Sequence, residues 1–399
     1  MKKIQQLYLL MLILPCLLLS CKNSVPVPPR PTRALVVYDL KELPEKISIK
    51  LTELGAIDIQ YIPLETSEKS VIQRIGKIVS SKHYFITQFN NDVNLYRSDG
   101  TFVAKIGPVG RGPDEFTVAH CVGFNPESET IYLIDGWQQR FLVYSDNGKF
   151  IRTFKYPVRA PVDFIFTEGG ILCYNQNNLG NIEDSYILID TIGHVIKRYP
   201  NIYPWTGNVP TLAFNCENIF YEYGPHLIKK EIYCDTLYAY IDKDFKPYAT
   251  IEIKNGLRIT PEIRSEVNGI YIIQNFVNPW KLLEFGDFMY YEFSLPQNGK
   301  AERMFFIGSK KKGIHALINP DQGLIDDLDA GPGFLPMTMK DDSTIIGFVE
   351  ARQLKAHVAS ETFKNSKPLY PEKKKELEML ANKLKETDNP VLVLVRLKR

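Results

Sequence analysis

Through most of this chain, apolar and polar residues alternate in short runs broken by Asp, Asn and Gly. A period of two is that of strands with one buried face. Asn94-Leu95-Tyr96-Arg97 passes through Ser98-Asp99-Gly100 into Thr101-Phe102-Val103. The pattern returns as Phe141-Leu142-Val143-Tyr144, then Ser145-Asp146-Asn147-Gly148, then Lys149-Phe150-Ile151. A third copy runs from Tyr186 through Asp190-Thr191-Ile192-Gly193 to Ile196, and a weaker fourth from Leu237 through Asp242-Lys243-Asp244 to Phe245. Asp-Gly and Asn-Gly supply the positive φ that tight hairpins require. The copies recur about every 45–50 residues, a period that suits four-stranded propeller blades.

The remaining strands fall into place around these hairpins. Blades are expected over Arg74–Ile106, Val122–Phe154, Asp163–Tyr199, Leu212–Ile253 and Lys281–Ile318, with a last one beginning near Phe334 and including Thr344–Val349. Val391–Val395 is strongly apolar and Ile57–Ile62 alternates. Pairing these two ends in one blade removes the open edge of the ring. The predicted fold is all-β: a six-bladed β-propeller of four-stranded blades over residues 34–399, closed by its terminal strands, with one or two short helical inserts. Pro371–Glu386 is one insert, with Leu377, Leu380 and Leu384 at helical spacing and Lys373–Lys375 read as a solvated face. Thr260-Pro261-Glu262 starts the other, either a cap on one channel mouth or a packing insert.

The N-terminus breaks the alternation. Lys2 and Lys3 precede a largely apolar run from Leu7 to Leu19, too short for a spanning helix. Leu18-Leu19-Ser20-Cys21 fits the lipobox of bacterial lipoprotein signal peptides. Residues 1–20 are therefore expected to leave as a leader, with Cys21 lipidated and anchored in the membrane. Residues 21–33 hold Pro26, Pro28, Pro29 and Pro31 and form a semi-rigid tether. Lys22, where an aspartate would favour inner-membrane retention, points to the outer membrane. Lys22-Asn23-Ser24 has no acidic run to direct surface export, so the periplasmic and surface faces both stay open.

Composition narrows the class. The chain has a formal charge of +2, and the mature body is about neutral. No basic stripe argues for nucleic acid. The 22 Tyr and 22 Phe favour strands and stacking surfaces. Cys121, Cys173, Cys216 and Cys234 remain in an exported, disulfide-permissive setting. If Phe214–Tyr223 and Leu227–Tyr233 form a hairpin about Gly224-Pro225-His226, Cys216 and Cys234 come near each other. A bridge between them and a pair of buried free thiols are the two readings. No Cys/His spacing suggests zinc.

The chain resembles the six-bladed propeller lipoproteins abundant in Bacteroidetes, architectural relatives of NHL and TolB-type propellers. Tyr61-Ile62-Pro63-Leu64-Glu65-Thr66, Ile106-Gly107-Pro108-Val109-Gly110-Arg111-Gly112-Pro113-Asp114-Glu115-Phe116 and Ile131–Asp135 carry the likeness, with Asp327-Leu328-Asp329-Ala330-Gly331-Pro332-Gly333-Phe334 and Asn389-Pro390-Val391-Leu392. The resemblance spans nearly all of the mature chain and implies architecture and location, not a reaction. Where that family often has Asp-Gly-Gly-Pro, Ala330 stands here, which bears on one inter-blade turn.

Gly107–Phe116 superficially resembles a phosphate-cradling loop, but Pro113 and Asp114 follow Gly112 where a P-loop needs Lys and Ser or Thr. It reads as a tight inter-blade turn in which Arg111 pairs with Asp114 or Glu115, or as a mouth where Arg111 and Glu115 face a ligand. His120 lies just before an inner strand that approaches the channel. Trp137, Trp205 and Trp280 sit in loop-like surroundings, as sugar-stacking platforms or as packing at blade junctions. No cofactor is evident; a divalent ion in the channel is compatible with the fold. The reading adopted is a membrane-anchored scaffold that captures a glycan, a peptide or another envelope protein. The alternatives are an envelope hydrolase or lyase with its site in the central channel, and an assembly protein that uses its rim.

Overall fold

The computed structural model describes residues 35–398 apart from 159–160, 208–213, 215, 298 and 312. The expected leader, the lipidated Cys21, the tether and the start of the fourth blade at Leu212 lie outside the described residues.

Six antiparallel meanders follow one another along the chain. Sheet one comprises Lys77–Ser80, Tyr84–Phe89, Asp92–Arg97 and Phe102–Lys105. Sheet two comprises Ala119–Phe124, Ile131–Asp135, Arg140–Tyr144 and Phe150–Lys155, and sheet three Pro161–Thr167, Gly170–Asn175, Asp184–Ile189 and Val195–Pro200. Sheet four holds Asn218–Tyr223, His226–Glu231, Thr236–Ile241 and Asp244–Ile253; sheet five holds Asn278–Phe285, Phe288–Gln297, Lys300–Ser309 and His315–Ile318. Sheet six orders Thr338–Asp341, Thr344–Val349, Val391–Leu397 and Ala56–Pro63, so strands from both ends of the described chain share it.

The arrangement is all-β and propeller-like. Each sheet's first strand contacts the first strand of the next, and that of sheet six contacts that of sheet one. Separate apolar clusters fill the seams: Leu95 with Leu133, Ile134 with Phe164, Leu188 with Leu227, Ile228 with Leu282, Phe285 with Ile345, and Leu392 with Phe85. Burial follows from this stacking. Every residue of Ile131–Asp135 and Asp184–Ile189 is buried, because those strands lie between two neighbouring sheets. The outer strands Phe150–Lys155 and Val195–Pro200 each bury one residue, Phe154 and Tyr199. The expected hairpin turns form. Gly100 has φ +90°, and a Cβ there would lie 2.1 Å from the Pro63 carbonyl oxygen, so both the turn and the strand crossing need glycine.

Two features depart from the four-stranded expectation. Val36–Leu40 adds parallel to Asp244–Ile253, and Lys46–Ile47 adds parallel to His315–Ile318. Sheets four and five therefore have five strands. The helices are α1 (Pro261–Glu266), α2 (Gly269–Asn275), α3 (Ala351–Ala359), α4 (Glu361–Asn365) and α5 (Pro371–Lys383). They form two inserts, one between sheets four and five and one inside sheet six. Thr260 caps α1 by accepting the Ile263 amide. Arg264 of α1 is buried over the rings of Trp205 and Phe214, so this insert packs. The lysines of α5 are not a plain solvated face: Lys373 pairs with Asp58 at 2.6 Å, and Lys374 lies over Phe363.

Candidate functional site

The first strands line the middle of the arrangement, and their polar side chains bond across the seams. Lys77 of sheet one donates to Cys121 Sγ of sheet two at 3.2 Å. The Cys121 thiol donates to Asp163 Oδ1 of sheet three at 3.1 Å. Farther out, Tyr186 on the third strand of sheet three donates to Asn218 Oδ1 of sheet four at 2.8 Å. Just ahead of the Asn218 strand, Cys216 donates to the Trp280 carbonyl of sheet five at 3.2 Å. Lys281 lies 3.2 Å from Glu292 and 3.1 Å from Met337 Sδ, at the entry to sheet six. Ser80 of sheet one donates to the Met339 carbonyl at 3.1 Å, which returns the circuit to its start.

The electrostatics of this circuit hold its thiols protonated. Burial pushes Cys121 up to about 11, with Lys77 opposing and Asp163 adding to the rise. Burial also raises Cys216 to about 11, helped by Asp163 and Glu292. Lys77 is solvent-accessible although protein surrounds it. Burial works against its charge, but the hydrogen bond to Cys121 Sγ and the Asp163 carboxylate outweigh it and hold the ammonium form. Asp163 is raised by burial against the pull of Lys77. A thiol pinned in its neutral form is a weak nucleophile, because the thiolate does the chemistry. Among the described residues no three of His, Cys, Asp and Glu are grouped to hold a metal ion.

The residues singled out from the sequence are not gathered into one site. Arg111 is exposed and makes no ion pair among the described residues. The cation that organises the Gly107–Phe116 loop is Arg140, which donates to the carbonyls of Gly112 (2.8 Å) and Glu115. Glu115 accepts the Gly112 amide at 2.7 Å and so closes the turn on itself. His120 is half-buried on the first strand of sheet two. Its Nδ1 accepts the Gly136 amide at 3.2 Å, and burial lowers its pKa. Trp137, next in sequence, is 76% exposed. Trp205 is buried, donating to the Asn177 carbonyl at 3.2 Å, which is junction packing. Trp280 is partly exposed beneath the Arg303 guanidinium, 4.6 Å from its ring centroid. Cys216 and Cys234 are free thiols, the latter donating to the Thr236 carbonyl at 3.3 Å, so the bridged reading gives way to the unbridged one.

Sequence reasoning missed Lys77, Asp163 and Arg140. It also missed a buried acid pair, Asp326 and Asp329. Both accept the Gly331 amide at 3.0 Å, and Tyr61 OH lies 2.9 and 3.2 Å from them. Burial and the Asp326 charge push Asp329 up to about 8.

Comparison with known proteins gives a family model described as "Domain of unknown function (DUF4934)", matching residues 35–396. No curated protein matches the sequence. A Bacteroides fragilis NCTC 9343 protein described as a "Putative exported protein" is similar in structure at 14% identity, with a TM-score of 0.65 over 92% of this chain and 100% of that one. A DUF4221 family member from Bacteroides vulgatus is 11% identical, with a TM-score of 0.47 over 86% and 97%. BamB from Moraxella catarrhalis is 7% identical, with a TM-score of 0.35 over 72% and 71%.

Proposed function

The chain belongs to the DUF4934 family, and on that premise we propose that it is an exported, lipid-anchored interaction scaffold of the cell envelope. In this reading the six sheets are the blades of a six-bladed propeller closed by its two terminal strands. Cys21 and the proline-rich tether hold it at the outer membrane, and its ligand is a peptide or envelope protein met by the outer surface and mouths. The observation that carries the reading is the cross-seam circuit of Lys77, Cys121 and Asp163. Side chains bonded to one another brace a ring, whereas a channel enzyme needs groups aimed at a substrate. The location rests on the Lys2–Cys21 leader. Among the described residues no helix is long and apolar enough to cross a membrane.

Photocrosslinking in intact cells tests this reading, with a photoreactive side chain placed in turn at Arg111, Trp137 and Ile151, all exposed. A discrete adduct with an envelope protein from at least one position is the expected result. No adduct from any of the three, together with a melting-point rise on adding a small glycan or a divalent ion, would replace the scaffold with a channel ligand.

A further inference from the structure

Three of the six sheets have their outer edges covered by this chain itself. Val36–Leu40 covers sheet four and Lys46–Ile47 covers sheet five, each as an added parallel strand. On sheet six, Tyr370 and Lys373 at the start of α5 donate to the Ile57 and Ile59 carbonyls of the outermost strand, at 3.0 and 2.7 Å. An uncovered edge offers unpaired amides and carbonyls to any extended chain, and proteins blunt such edges when they are not used. The outer strand of sheet one has four residues, and the Phe102 amide is occupied by Glu65 at 2.9 Å. That of sheet three ends at Pro200.

Sheet two is different. Its outer strand, Phe150–Lys155, has six residues, and among the described residues no strand lies beyond it. Tyr156 donates its amide inward to Gln139 at 2.7 Å. By strand alternation the amides of Thr153 and Lys155 therefore point outward, but the Lys155 end is taken by the next sheet's turn: a Cβ on Gly193 would lie 2.6 Å from the Lys155 carbonyl oxygen. Phe150 and Ile151 are exposed, and Ile192 of the neighbouring turn is 55% exposed. That turn is held against the strand by Arg152, which donates to the Thr191 carbonyl at 2.6 Å. The segments 149–155 and 191–200 contain Lys149, Arg152, Lys155, Lys197 and Arg198 and no acidic residue. Lys197 and Arg198 already pair with Asp244 (3.8 Å) and Asp184 (2.7 Å), so Lys149, Arg152 and Lys155 are the cations with no acidic partner among the described residues; the flanking acids Asp146 and Asp190 bond to Tyr84 and His194.

We propose that the outer edge of sheet two is a docking site for an extended segment of a partner protein in which apolar residues alternate with acidic ones. The partner adds as a fifth strand, as the chain's own N-terminal strands do on sheets four and five. Its backbone pairs with the edge as far as Thr153, short of the Gly193 contact at Lys155, its apolar side chains lie on Ile151 and Ile192, and its carboxylates face Lys149 and Lys155. This inference rests on the scaffold reading and names the surface it uses.

The test uses the purified mature protein and a labelled eight-residue peptide alternating valine or isoleucine with glutamate, followed by fluorescence anisotropy. Saturable binding that weakens as salt rises is expected, and a peptide with lysine in place of glutamate should bind about tenfold more weakly or worse. Lys149→Glu with Lys155→Glu should cost about tenfold or more. So should Thr153→Pro, which removes one outward amide from an edge position that tolerates proline. Circular dichroism confirms that each variant is folded. Equal binding of the two peptides, or binding untouched in the folded variants, overturns the proposal. If adducts still form in cells from Arg111 or Trp137 while the acidic peptide does not bind, the scaffold reading stands and the edge assignment falls.

Discussion

Asp329 and Ala330 are neighbours, and each carries a cost that a substitution should expose. Asp329 is held near 8 in the folded protein against an ordinary 3.8. Folding therefore takes up a proton across that window, and the protein should lose stability as pH rises through it and level off above 8. Urea unfolding at pH 6 and pH 8.5 should show the drop, and Asp329→Asn should remove most of it. An unchanged pH slope in that variant would place the titrating group elsewhere. Ala330 has φ +67°, in the left-handed region. Its carbonyl accepts from His357 Nε2 at 2.8 Å, so the turn keeps the glycine-like conformation although a methyl is present. Left-handed geometry costs a non-glycine residue about 1–2 kcal/mol, and glycine's unfolded-state freedom returns about 0.4–1 kcal/mol of that. Ala330→Gly should therefore raise stability by about 0.5 kcal/mol, read from the urea midpoint. The departure at Ala330 was visible in the sequence. The raised pKa of Asp329 was not, because it comes from burial and the Asp326 charge in a packed site, one wall of which, Tyr61, comes from the far end of the chain.

Among the elements, the Gly107–Phe116 loop separates what spacing shows from what contact shows. Its glycines mark a turn, but the two nearby cations are indistinguishable until the fold places Arg140 under three carbonyls. Arg140→Gln should destabilise the protein by about 1.5–3 kcal/mol, the worth of hydrogen bonds from a charged group. Arg111→Ala should stay within about 0.5 kcal/mol, as exposed substitutions do. Equal effects from the two would return the organising role to Arg111. The hairpin strands were legible because alternation and Asn-Gly or Asp-Gly turns are local signals. Val36–Leu40 and Lys46–Ile47 were not, since pairing with a distant edge leaves no pattern in so short a segment. Helices α3 and α4 are also short, and tertiary packing rather than sequence period decides them.

For the whole molecule, the pairing of Val391–Leu397 with Ala56–Pro63 was readable from two apolar strands at opposite ends of the chain. The Lys77–Cys121–Asp163 circuit was not readable, since three sheets each contribute one residue. If sheet six locks the ring, Val393, fully buried between Gly347 and Tyr61 in register, matters to all of it. Val393→Ala should cost about 2 kcal/mol while fluorescence and circular dichroism keep a single coincident unfolding transition. Two separated transitions would mean that the sheets unfold independently. The proposed scaffold role claims that partners meet the outer edges of the sheets and not the middle, where the first strands meet. Hydrogen exchange read by mass spectrometry, on the protein in its native membranes and after purification, tests that claim most directly. The account predicts that amides of Phe150–Lys155 exchange more slowly in the membranes than in the purified protein, while those of Ala119–Phe124 and Pro161–Thr167 are unchanged. Slowing confined to those channel strands, with the outer edge unaffected, would contradict it.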